Sequence, residues 1–196
     1  MGLTVRELCP DAGPNACLQD AFLEDAFLEN DRRQWFALTV KHQHERRVEG
    51  VLRAAGVDTF LPVYRARRHW SDRVKDLDAP LFPGYIFGRF PLRDRARIVR
   101  TPGVVRIVGF AGFPAPVTEQ EIEAVRVALA SRLPIGPWPY LLKAGGRVRI
   151  ERGPLRGIEG TLLREGSAFR LVLGVELLQR SLAVEVDSEM IGPLFN

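Results

Sequence analysis

The chain has 196 residues and a mass of 22.0 kDa, 46% of them hydrophobic and 27% charged, which gives room for one ordinary domain or two small ones. No stretch reaches the roughly 18 consecutive apolar residues of a membrane span, and no basic run followed by an apolar core opens the chain, so neither a membrane protein nor a secretory leader is expected. Residues 1–31 hold one basic and seven acidic residues (−6), residues 32–109 hold 17 and seven (+10), and residues 110–196 hold ten of each (zero), so the net +4 is a block and not a background.

A basic block predicts a polyanionic partner. All but Lys41, Lys75 and Lys143 of the chain's 28 basic residues are arginines, which fork onto phosphates. Cys9 and Cys17 are the only cysteines, with seven residues between them in a stretch of turn residues. That is neither a disulfide scaffold nor a zinc knuckle, and reduced thiols in a cytoplasmic protein are expected.

In chain order, residues 1–32 read as an acidic extension. Asp20-Ala-Phe-Leu-Glu24 is repeated at once as Asp25-Ala-Phe-Leu-Glu29. A five-residue period fits neither a helix face nor a strand face, so a flexible tail stands beside a short acidic helix docking through Phe22 and Phe27. Its sign sets it to shield the basic block in the free protein.

Trp35-Phe-Ala-Leu-Thr-Val40 is a strand by composition. Residues 44–55 predict a helix with Val48, Val51, Leu52 and Ala55 on one face and Gly56 as its stop. Residues 57–64 predict a strand, 65–79 an arginine-rich loop or hairpin, and 81–90 a third strand. Residues 92–100 predict a short helix with Leu92, Ala96 and Val99 inward and Arg93, Arg97 and Arg100 outward. A fourth strand follows at 104–108. Thr118-Glu-Gln-Glu121 is a capping box opening a helix that carries Ile122, Val125 and Leu129 inward. The order predicts an α+β sandwich over residues 33–130, with helices on one face of an antiparallel sheet.

Residues 131–141, with Pro134, Gly136, Pro137 and Pro139, predict an inter-domain linker. Residues 142–196 alternate in short runs punctuated by glycines, which predicts a small all-β barrel. Only residues 171–178 fit helix or strand equally well by periodicity.

Within the third strand, Tyr85 and Phe87 share one face and Phe82, Ile86 and Phe90 the other. One set is core; the other is either covered or an exposed apolar patch. Arg65-Ala-Arg-Arg-His-Trp70, followed by Arg73, interleaves charge with an aromatic, as a single strand of nucleic acid requires. A solvated loop is the other reading. Lys41, Arg93, Arg97, Arg100 and Arg106 would extend that surface. Leu155, at the Gly153-Pro-Leu turn, is either barrel core or an exposed contact. His42, His44 and His69 have no ligand-spaced carboxylate or thiol nearby, and no phosphate loop, nucleophile elbow or metal motif occurs. Neither enzyme chemistry, a metal nor a cofactor is expected.

Three segments together resemble the NusG family of transcription elongation factors. They are Gln34-Trp-Phe-Ala-Leu-Thr-Val-Lys41, Pro80-Leu-Phe-Pro-Gly-Tyr-Ile-Phe87 and the KOW-like run Lys143-Ala-Gly-Gly-Arg-Val-Arg-Ile-Glu-Arg-Gly-Pro-Leu-Arg-Gly-Ile-Glu-Gly160. Thr101-Pro-Gly-Val-Val-Arg-Ile-Val108 also fits, and the likeness runs over residues 33–196. It implies a NusG-type N-terminal α/β sandwich followed by an SH3-like KOW barrel at 142–196. It also implies a monomeric factor bound to RNA polymerase, against the clamp helices of the largest subunit, with the non-template DNA strand as a further contact. Thr39, Tyr85, Phe87 and Ile107 are the implied polymerase contacts. Lys41, Arg65, Arg67, Arg68, His69, Trp70, Arg73, Arg93, Arg97 and Arg100 are the candidates for nucleic acid. Leu155 and Arg156 are the candidates for the partner the barrel recruits, either Rho or the ribosome through NusE.

Leu177-Leu-Gln-Arg-Ser181 stands where housekeeping members tend to carry a Phe-Gly-Arg-like turn. It looks like the specialised antiterminators of the RfaH, LoaP and UpxY group. A housekeeping NusG is the alternative. A ribosome-associated RNA-binding KOW protein is a further one, opposed by the near-neutral barrel.

Overall fold

The structure is a computed structural model. It describes residues 31–69, 74–138, 146–165 and 168–191, with the backbone alone at 67–69, 74–75, 165 and 168. The amino-terminal repeat, Trp70, Arg73 and residues 139–145 therefore lie outside the described residues.

Strand β1 (Gln34–Val40) is the centre of the first sheet. Trp35, Phe36, Ala37 and Leu38 are all buried in succession. Alternation sends successive side chains to opposite faces, so four buried neighbours require cover on both. The cover is helical on each side. Beneath one face, Phe36, Leu38, Ile86 and Phe90 pack with Val48 and Leu52 of α1 (Glu45–Ala54) and Ile98 of α2 (Arg95–Val99). Beneath the other, Trp35, Ala37 and Phe87 pack with Ile122, Val125 and Ala128 of α3 (Glu119–Ala130). The expected one-sided sandwich is thus corrected to a sheet between two helical layers.

The sheet contains β2 (Asp58–Phe60), β5 (Tyr85–Phe90), β1 and β6 (Val104–Ile107) in that antiparallel order. A short β9 (Pro116–Val117) pairs the start of β1 on the β6 side. Between β2 and β5 the chain makes a separate antiparallel hairpin, β3 (Val63–His69) with β4 (Val74–Pro80). Of the two readings left open for the arginine-rich segment, the hairpin is the observed one.

Two expected helix faces shift. In α1, Val48 and Leu52 are buried while Val51 and Ala55 face solvent. The second helix opens with a 3-10 turn, Leu92–Asp94, before α2. Three residues per turn instead of 3.6 changes the phase, so Ile98 points inward and Ala96 and Val99 outward. In α3, Ala128 takes the buried position and Leu129 is half-buried. The capping box is present: the Glu121 N–H donates to Thr118 Oγ1 at 3.2 Å, and the Thr118 N–H donates to Glu121 Oε2 at 3.0 Å.

The second sheet is all antiparallel, in the order β10 (Ile135–Trp138), β14 (Arg180–Val186), β13 (Ala168–Val175), β12 (Glu159–Glu165), β11 (Gly146–Arg149). An Ile150–Ile191 bridge joins the end of β11 to the segment after β14 and closes the sheet into a barrel. Residues 171–178 are strand followed by a 3-10 turn, Glu176–Leu178. Gly160 lies so close to β13 that a Cβ there would sit 2.7 Å from the Val172 carbonyl oxygen. Only glycine fits that approach.

The Pro-rich stretch expected to be a linker supplies β10, whose Ile135–Trp138 pairs with Ser181–Val184. Its prolines do not prevent this, because β10 is an edge strand and needs donors on one side only. The barrel rests against α3. The Glu176 N–H donates to Glu121 Oε1 at 2.9 Å, and the buried residues of the α3 layer run on without a break into Leu171, Leu173, Val175 and Leu182 of the barrel.

Candidate functional site

The conformation around Tyr85 is set by its neighbours in sequence. Gly84 has φ +81°, a left-handed turn that suits glycine. Its N–H donates to Glu45 Oε1 at 2.8 Å, and its carbonyl accepts the Val40 N–H at 2.9 Å. Glu45 is itself buried at the start of α1. The turn is thereby pinned to both α1 and β1, and β5 can begin only at Tyr85. The consequence reaches Phe82. It precedes the turn, so strand alternation does not carry through to it. It packs edge-on to Phe87 at 6.1 Å and belongs to the α3 side, not with Ile86 and Phe90 as the alternation predicted.

Register decides which expected polymerase contacts lie together. Thr39 stands opposite Tyr85 across β1 and β5, and opposite Arg106 across β1 and β6. Thr39 and Tyr85 are half-buried and Arg106 is exposed. These three share one side of the sheet, beyond the sealed residues Trp35, Ala37 and Phe87. Ile107 does not join them. It stands opposite Leu38 and packs with the α1 and α2 layer. A register shift between Thr39 and Val40 leaves Val105 as the extra residue of β6. Phe87 is fully buried, stacked on Phe60 at 6.1 Å, so it lies beneath the patch and not on it.

The basic candidates divide into two groups. In the hairpin, Arg65 stands opposite Asp78, Arg67 opposite Asp76, Arg68 opposite Lys75 and His69 opposite Val74. Direct cross-strand pairing of arginine with aspartate offsets charge along one face. Arg65 is exposed, and Asp78 also pairs Arg46 of α1 at 3.8 Å. The second group is on the α2 segment. Arg93 pairs Asp31, Arg97 donates to the Ala55 carbonyl just past α1, and Arg100 faces solvent. Lys41 is exposed after β1. Residue α1 Arg46 touches the hairpin and the end of α1 touches α2, so both groups border the same helical layer.

In the barrel, Leu155 is fully buried in the core and Arg156 beside it is exposed. The open choice between core and contact closes on core for Leu155: its carbonyl accepts the Ile158 N–H at 3.0 Å in a turn folded back over the barrel interior. Leu178 is buried too, and Gln179 takes a left-handed conformation, φ 48° and ψ 43°. That is the central place of a Phe-Gly-Arg-like turn, where glycine would meet no strain.

Two features, one exposed and one half-buried, escaped the sequence reading. Phe110 and Phe113 are 70% and 74% exposed at the tip of a minimal hairpin, β7 (Gly109–Phe110) with β8 (Phe113–Pro114). The Ala111-Gly112 pair between them, both at positive φ, was the available signal. Arg126 of α3 lies 5.1 Å from both the Trp35 and the Phe60 ring centroids, a sandwich only the fold reveals. Among the described residues, no group of three or more His, Cys, Asp or Glu is placed to hold a metal ion, and no helix is long and apolar enough to cross a membrane.

Comparison with known proteins matches this arrangement. Residues 33–126 match the family described as transcription termination factor nusG. The transcription termination/antitermination protein NusG of Vibrio parahaemolyticus is 32% identical over 176 residues, covering 81% of this chain and 94% of that protein. The NusG of Lactococcus lactis is 28% identical over 183 residues, covering 86% and 97%. A solved structure concerned with domain interaction in Thermotoga maritima NusG covers 83% of this chain and 97% of its own, with a TM-score of 0.51 and 20% identity, which speaks for the fold alone. A sheet between two helical layers followed by a barrel, together with a relative 32% identical and matched along 94% of its length, places the chain in the NusG family of transcription termination and antitermination factors.

Proposed function

We propose that this chain is a specialised NusG paralogue. It binds RNA polymerase through the Thr39–Tyr85 end of the first sheet, against the clamp helices of the largest subunit, and suppresses pausing and termination on particular operons. The observation that supports the polymerase contact is the direct pairing of half-buried Thr39 and Tyr85 beyond the residues α3 seals. A tyrosine fixed by a pinned turn is a pre-organised anchor, and anchors of this kind dominate protein interfaces. The arginines bordering the α1 and α2 layer contact the non-template strand, and the exposed Arg156 side of the barrel meets Rho or the ribosome through NusE. The chain acts by binding and not by catalysis. The specialised role rests on Leu177-Leu-Gln-Arg-Ser181, whose left-handed Gln179 marks a departure from a glycine turn.

The test is a purified elongation assay. Added protein should lengthen transcripts through a pause and a terminator. Tyr85→Ala should weaken polymerase binding about tenfold or more, as expected for loss of a central aromatic anchor. No change in elongation at micromolar protein would remove the reading. A second reading, a housekeeping factor, is favoured by the relatives' shared description as termination/antitermination proteins. An increase in Rho-dependent termination on adding the protein would select it.

A further inference from the structure

The tandem repeat at 20–29 has no place in the function proposed above, and it ends two residues before Asp31, the first described residue. Asp31 pairs Arg93, which places the first described residue on the α2 side of the molecule. Around that point the surface is both basic and apolar. Arg95 and Arg100 on the α2 segment and Arg47 on α1 are exposed and have no ion pair among the described residues. Val99 and Val51 are 43% and 41% exposed on the same two helices. The bond from Arg97 to the Ala55 carbonyl brings the ends of those helices together, so valines and arginines form one layer.

The repeat is the complement of that layer. Each unit places a Phe-Leu pair between two carboxylates: Asp20 and Glu24, then Asp25 and Glu29. The layer places its valines between arginines. The tether is short. From Asp31 the repeat spans positions two to eleven residues away, which confines it to within about 40 Å of Arg93 even fully extended. At such reach the local concentration is of order millimolar, enough for a weak contact to be occupied. Its charge part weakens with salt over a Debye length of about 10 Å at 0.1 M.

We infer that residues 20–29 dock in cis on the arginine and valine surface of α1 and α2, and hold that surface away from nucleic acid until a partner displaces them. The docking itself stands on tether, charge and apolar match; the competition with nucleic acid rests on the function proposed above. Both native cysteines lie in the tail, so the full chain can be labelled without a new thiol. In the Cys9→Ser chain, a nitroxide on Cys17 should broaden the backbone amides of residues 93–100 and 47–55 at low salt. Neutralising the repeat (Asp20→Asn, Glu24→Gln, Asp25→Asn, Glu29→Gln) should abolish the broadening and tighten binding to an oligothymidylate of about 20 nucleotides by about threefold or more. Absence of broadening at low salt, or broadening unaffected by neutralisation, overturns the docking. Broadening that persists undiminished when the nitroxide and the isotope label are on separate molecules overturns it in favour of a second copy as occupant. Broadening that responds to neutralisation while oligothymidylate affinity stays unchanged upholds the docking and overturns the nucleic-acid role of this surface.

Discussion

Phe36, Leu38, Ile86 and Phe90 vanish beneath α1 and α2 on one face of the first sheet, whereas on the other the side chains pass from sealed Trp35, Ala37 and Phe87 to half-open Thr39 and Tyr85. The same strands make both faces, and period two assigns each side chain to one of them. The first face is a closed core whose outer helical surface is rich in arginine. The second carries a single long helix, the barrel and the proposed protein contact. A sheet covered completely on one side and incompletely on the other can hold its shape while offering an interface.

The sharpest way to break this contrast is to hollow out the closed face. Phe36→Ala removes a ring 4.9 Å from that of Phe90 and should cost about 3–5 kcal/mol, read from the urea midpoint. Tyr85→Ala on the half-open face should cost much less stability while losing polymerase affinity. Equal destabilisation by the two would erase the distinction between faces. In the barrel, Leu155→Ala should cost about 2–5 kcal/mol, and a near-silent result would return Leu155 to the surface. Thr118→Ala should cost about 1 kcal/mol as a lost cap, and Glu121→Ala more, because it also leaves the Glu176 N–H without its acceptor. Amide exchange at Glu176 should quicken in Glu121→Ala and not in Thr118→Ala. Gln179→Gly should stabilise the barrel by about 1 kcal/mol by relieving the left-handed strain, seen as a raised Tm. Arg46→Ala, which removes an exposed pair with Asp78, should change stability by less than about 0.5 kcal/mol.

Much of the fold was legible because it is locally written. The first strand, the α1 helix and the capping box of α3 all follow from runs of a few residues. What was not legible depends on partners distant in sequence. Ile135–Trp138 looks like a linker until β14 pairs with it. Ile107 joins Thr39 by the family resemblance, but its pairing with Leu38 puts it on the opposite face of the sheet. Phe82 looks like part of a strand until the turn at Gly84 cuts it off. In the candidate site, Tyr85 and Thr39 were found from the family motif, but Arg106 became their neighbour only through pairing. Leu155 shows the reverse case, an apolar residue at a turn whose burial needs the closed barrel.

The side chain of Glu121 answers to two masters. One oxygen closes the first turn of α3 through Thr118, and the other receives the Glu176 N–H of the barrel. Fraying of that first turn would swing the carboxylate away and release the barrel's turn in the same movement. Conversely, lifting the barrel off would free one oxygen and leave the helix start held only through Thr118. Any partner that pulls on the barrel therefore has a mechanical line to the helix that lies across the half-open face of the sheet, a polar line through one carboxylate that runs beside the shared apolar core.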